Sequence, residues 1–221
     1  MVLPDEAAYR AELDARLAAG QPVYLARYLP GLEGVYHLRS AGPLVEVSTE
    51  PLSELPDEAI PAGLTFGPLR LLGYVAEPAA AIDPAAVGLT LYWTREQELA
   101  AGERTPVVYV RWGGGTPVVV GPHPANDSYP VNAWRPGEIV PDFHLLPLPN
   151  SATGEKERLG DWEIEVAVAP RFTPAAELAW QPMATVPVAP RSGPVGAARR
   201  AYLEGFALDG VAFQAAARPA A

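Results

Sequence analysis

The sequence predicts a mainly β protein, an antiparallel β-sandwich of jelly-roll or immunoglobulin-like type with a small α/β appendage at its N-terminus. Three observations lead there. Between residues 64 and 190, about seven extended segments recur at the spacing of sandwich strands. Their connections are rich in turn formers, in a chain that holds 20 Gly and 26 Pro. The segment 162–169 alternates with period two, so that Trp162, Ile164, Val166 and Val168 face a core while Glu163 and Glu165 face water.

In chain order, residues 5–19 predict a helix. Tyr9, Leu13 and Leu17 recur at four-residue spacing, Glu6/Arg10 and Glu12/Arg16 pair at i,i+4, and Gly20 can close the end. A strand at 22–28, a turn at Pro30-Gly31 and a second extended piece at 44–47 follow. So few apolar positions cannot offset the ordering entropy of an independent domain. Residues 1–49 are therefore expected to end a preceding unit or to brace the sandwich. Residues 50–62, with three Pro, four acids and no periodicity, predict a linker.

The sandwich itself is expected over 63–190, with strands at 64–75, 88–94, 106–112, 116–121, 139–148, 162–169 and 180–188. Gly113-Gly114-Gly115 reads as a hairpin connection. Arg135-Pro136-Gly137-Glu138 predicts a type II turn, Pro presetting φ at its second position and Gly supplying positive φ at its third. In the strand that follows, Ile139, Phe143 and Leu145 fall on one side and Val140, Asp142 and His144 on the other. Pro141 and Pro147 cannot donate to a ladder, which places this strand at an edge or on a bulge. A C-terminal extension, 191–221, reads as a linker (191–196), a short helix (197–203) and a tight hairpin around Asp209-Gly210.

Charge narrows the partners. With 26 acidic against 16 basic residues and a net charge of -10, Lys156 being the one lysine, the chain lacks the clustered cations that a nucleic acid requires. The absence of Cys removes disulfides and thiolate metal sites. No apolar run reaches the length of a membrane span, and residues 1–20 are acidic and periodic, unlike a signal peptide, so the chain reads as soluble.

No motif for catalysis, metal or cofactor emerges. His37, His123 and His144 show no metal-binding spacing, and no nucleophile elbow or dinucleotide loop is present. The histidines read as exposed or loop residues. His123 stands out because the polar loop that holds it also carries Asn126 and Asp127, a set able to bind a cation or a sugar hydroxyl and equally able to form an Asx turn. Trp93, Trp112 and Trp162 share faces with aliphatic residues and read as core. Tyr129, Trp134, Tyr92 and Tyr109 remain as candidate sugar-stacking platforms, the first two in a loop. The candidate ligand residues are thus His123, Asn126, Asp127, Tyr129 and Trp134. A rival reading is a carbohydrate-active enzyme using Asp127, Glu138 and Asp142, and a third is a spacer or oligomerisation domain.

Four segments together carry a family resemblance: GQPVYLARYLPGLEGVYHLRSAGPLVEV (20–47), FGPLRLLGY (66–74), LTLYW (89–93) and W-x-PGE-x-x-x-D (134–142). This combination, spread over most of 10–190, resembles the C-terminal soluble part of large multi-span bacterial membrane proteins related to protein O-mannosyltransferases and other lipid-linked-sugar glycosyltransferases. The resemblance implies that the catalytic acids lie in membrane loops outside this chain, so no catalytic residue is carried over. It also implies an extracytoplasmic accessory sandwich of a membrane-embedded parent, in contact with acceptor, glycan or another cell-envelope component.

Overall fold

The computed structural model describes residues 6–25, 31–78, 86–99, 105–118, 123–148 and 160–188. The readings made for the C-terminal extension lie outside them. The described chain is mainly β, in three antiparallel sheets. Among the described residues no helix is long and apolar enough to cross a membrane.

Helix α1, Glu6–Ala18, matches the expected stripe. Leu13 is buried, Tyr9 and Leu17 pack beside it, and Arg16 meets Glu12 at 2.7 Å. It closes with Gly20 N donating to Leu17 O and Gln21 N to Arg16 O, the paired bonds of a Schellman cap. Strand β1, Val23–Leu25, and β3, Leu44–Ser48, were both expected. Between them the structure adds β2, His37–Ala41, giving a sheet of order β1-β3-β2.

Two hairpins share one local code. Ala41-Gly42-Pro43-Leu44 joins β2 to β3, and Phe66-Gly67-Pro68-Leu69 joins β4, Ile60–Phe66, to β5, Leu69–Pro78. In each, Gly takes the first turn position with positive φ (57° and 58°) and Pro the second, the arrangement of a type II′ turn whose twist suits a hairpin. The second hairpin corrects the expectation of one continuous strand over 64–75, because the positive φ at Gly67 reverses the chain there.

The sandwich proper consists of the sheet β4-β5-β6-β8 facing the sheet β10-β9-β7. Its remaining strands are β6, Ala86–Arg95; β7, Pro106–Trp112; β8, Ile139–Pro147; β9, Gly160–Pro170; and β10, Gln181–Val188. Strands β6 and β8 neighbour each other in one sheet and β7 and β9 in the other, the connectivity of an immunoglobulin-like sandwich rather than a jelly roll. Of the strand expected at 116–121 the described part holds only a bridge, Val118 to Val110. The inner faces meet through Leu69, Leu71, Leu89, Leu91 and Trp93 on one side and Val108, Val110, Trp112, Ile164 and Val166 on the other. Trp112 Nε1 also donates to Pro147 O across the sheets at 2.6 Å. The outer face of β9 is polar, where Glu165 accepts from Arg111 Nε at 2.7 Å. Arg111, in turn, stacks 4.1 Å from the Trp180 ring centroid.

Strand β8 is an edge strand, as its prolines require. Ile139 N donates to Leu52 O and Phe143 N to Ser40 Oγ, so the odd-numbered amides of β8 point away from β6. Pro141 and Pro147 share that parity, and no ladder bond is lost to either. The expected linker is likewise docked: Leu52 bridges Ile139, while Leu52 and Leu55 pack with Ala59, Tyr92 and Ile139 on the outer face. Nor does the appendage stand apart. Leu13, Leu25, Leu38, Val45 and Val47 belong to the same apolar core as the sandwich.

Candidate functional site

The polar residues of interest converge where β2 crosses β8 and where the segment before β8 folds over both. Arg135-Pro136-Gly137-Glu138 forms the expected type II turn, with Gly137 at φ 76° and Glu138 N donating to Arg135 O at 3.2 Å. This turn drives Glu138 inward, where it is 2% exposed. Its carboxylate accepts from Tyr129 OH at 2.9 Å and from Arg135 N at 3.0 Å, and it is bonded to His37 Nδ1. Arg135 bonds His37 Nε2 and donates to Val35 O at 3.1 Å. A guanidinium can only donate, so Nε2 accepts and the ring proton sits on Nδ1, donated to Glu138. A buried carboxylate is tolerated here because each of its oxygens has a partner.

One step along β8, the face that carries Asp142 and His144 points into the sandwich, paired across from Leu91 and Leu89. Asp142 Oδ2 is 2.8 Å from His144 Nε2, and Oδ1 accepts from Ala125 N at 3.1 Å. His37 and His144 are 3% and 2% exposed, which corrects the reading of the histidines as exposed or loop residues. Both lie in strands, held by acids that offset the cost of burying an imidazole.

Two of the expected ligand residues are structural. Tyr129 and Trp134 are 0% and 1% exposed, so neither ring can stack on a sugar. Trp134 Nε1 donates to Tyr129 O at 3.0 Å. Burial, then the neighbouring Glu138 charge, pushes the Tyr129 phenol well above its ordinary range. Tyr92 and Tyr109 are buried as well, closing the other two platform candidates. Asn126 is also committed: its amide donates to Gly42 O and Leu44 O, each at 3.0 Å, and so ties the loop to the β2–β3 hairpin.

His123 and Asp127 differ from the rest. They bracket a helical turn, Pro124–Asp127, in which Ala125 (φ 54°), Asn126 (φ 53°) and Asp127 (φ 63°) are all left-handed. None is glycine, and left-handed backbone costs an L-residue about 1–2 kcal/mol. The strain is held by the Asn126 amide, by Asp142 beneath Ala125 and by the bonds Asp127 N to His123 O and Tyr129 N to Pro124 O, both 3.0 Å. His123 Nδ1 and Asp127 Oδ1 are buried without a hydrogen-bond partner among the described residues, although both side chains are only part-buried. Burial raises the Asp127 carboxyl above its ordinary value, an effect opposed by His123 and Arg171. Among the described residues no group of three or more His, Cys, Asp or Glu is placed to hold a metal ion.

Sequence reasoning had no means of joining His37 to Glu138, since their contact spans 101 positions. A signal for β2 was nonetheless present, in the Gly-Pro pair that its hairpin shares with β4–β5. No protein-family model matches the chain, and neither a curated protein nor a solved structure is detectably similar to it.

Proposed function

We propose that this chain is a non-catalytic, extracytoplasmic accessory module that binds or positions a glycan or acceptor for a membrane-embedded, glycosyltransferase-like parent. One observation carries the binding part of this reading: the turn with left-handed backbone at Ala125, Asn126 and Asp127 keeps an unpartnered nitrogen (His123 Nδ1) and oxygen (Asp127 Oδ1) on part-exposed side chains, whereas the one unpartnered junction atom among the described residues, His144 Nδ1, belongs to a fully buried ring. Buried polar atoms are nearly always paired and strained backbone gathers at functional sites, so such a turn is best explained by a ligand. Glu138 and Asp142, the acids a glycosidase would draw on, are each 2% exposed and bonded on both oxygens, which favours binding over cleavage. The parent enters through the family resemblance alone.

The test is binding of the full chain to a printed oligosaccharide array, followed by titration calorimetry of any hit against D127A and H123A. Saturable binding weakened by both substitutions supports the module. A blank array, or binding that neither substitution affects, rejects it. The parent is tested separately, by reading the coding frame flanking the chain for hydrophobic spans.

A further inference from the structure

The turn that carries His123 and Asp127 does not set its own hand. Ala125, Asn126 and Asp127 are consecutive left-handed residues and none is glycine, whereas L-residues visit that region singly rather than in series. The turn's own bonds, Asp127 N to His123 O at 3.0 Å and Ser128 N to Pro124 O at 3.2 Å, have the i to i−4 spacing that a right-handed turn also makes. They do not select between the two hands. The selection must come from outside.

Two contacts reach the turn from other elements. Ala125 N donates to Asp142 Oδ1 of β8 at 3.1 Å. Asn126 Nδ2 donates to Gly42 O and Leu44 O of the β2–β3 hairpin, each at 3.0 Å, from 84 and 82 positions away. A primary amide has two hydrogens to donate, and the hairpin offers two carbonyls to receive them. Asn is also among the non-glycine residues that enter the left-handed region most readily. We propose that Asn126 is the positioning residue of this turn, through which the N-terminal sheet fixes the left-handed shape that holds His123 and Asp127. The appendage then becomes a working part of the site. Strand β2 is itself held on β8 by Phe143 N donating to Ser40 Oγ at 3.0 Å, so a shift of β2 along β8 carries both carbonyls off the amide and frees the turn. This deepens the binding reading above and rests on it for the ligand, while control of the turn by the hairpin needs none.

Hydrogen exchange of the full chain tests that control directly. N126G is the deciding variant, because Gly adopts left-handed backbone freely but brings no amide to the hairpin. It is expected to speed exchange at Asp127, Ser128 and Tyr129 about tenfold or more, while Ile164 and Val166 of β9 exchange as in wild type. N126A should do the same. Unchanged exchange at those three amides in both variants overturns the positioning role, since the turn then holds itself. Faster exchange in β9 as well overturns it too, by making Asn126 a residue of general stability. For an oligosaccharide that the wild-type chain binds on the array, N126G should weaken affinity about tenfold. Unchanged affinity alongside faster turn exchange overturns the link between the shape of the turn and binding. A wild-type array that stays blank rejects the binding reading, and turn-confined exchange in N126G then still supports control by the hairpin.

Discussion

Two clusters built from the same side-chain chemistry sit a few residues apart and behave in opposite ways. At the junction, Glu138 sits buried among His37, Tyr129 and the Arg135 amide, each supplying a hydrogen bond. In the His123–Asp127 turn, an imidazole and a carboxylate are part-exposed and each short of a partner, and the carboxylate's backbone is left-handed. A His–acid pair is therefore not a functional signal in itself. What separates a structural pair from a binding pair is whether its hydrogen-bonding capacity is already spent, and only the fold decides that.

The contrast can be broken from the junction side first. E138A should cost about 3–5 kcal/mol, read as a fall in urea midpoint, because it strands the partners of a buried charge and uncouples β2 from β8. A loss below about 1 kcal/mol would mean that this carboxylate does not hold the junction. Y129F removes one donor to the same charge and should cost about 2 kcal/mol, with the slope of the urea transition unchanged.

On the turn side the effects should be small and of the other sign. The Asp127 carboxyl is raised from its ordinary 3.8, chiefly by burial, so the folded state holds this proton more tightly than the unfolded state. That contribution favours folding below the unfolded value and is lost as pH rises through the folded one. D127N should accordingly be more stable than wild type at pH 7 by up to about 1 kcal/mol, and the gain should vanish below about pH 4. A D127N that is destabilised at pH 7 would place Asp127 with the junction residues. The smallest effect is expected for H123A, within about 0.5 kcal/mol of wild type by thermal unfolding.

The legible parts of the fold were those written locally. Alternation over 162–169 gave β9 and its inward face, Pro136-Gly137 gave the turn, and Pro141 with Pro147 gave the edge position of β8. Period-two patterning and turn chemistry act over a few residues, so they survive without tertiary context. The site was legible only as a segment. His123, Asn126 and Asp127 do share one turn, but which of them has spare hydrogen-bonding capacity depends on Gly42 and Leu44, more than eighty positions away. Tyr129 and Trp134 looked like surface aromatics because their loop is polar. The structure folds that loop over β2, and burial follows from the packing.

The outer rim of β8 also bears on association between copies of the chain. A sheet edge with a row of outward amides is a template on which neighbouring chains can add strands. Here two positions in that row are imino acids, and two more donate to Leu52 and Ser40 of the same chain. Leu145 alone remains among the outward amides of β8. A neighbouring strand approaching this rim therefore finds one free amide donor where an unblocked edge of the same length would offer five.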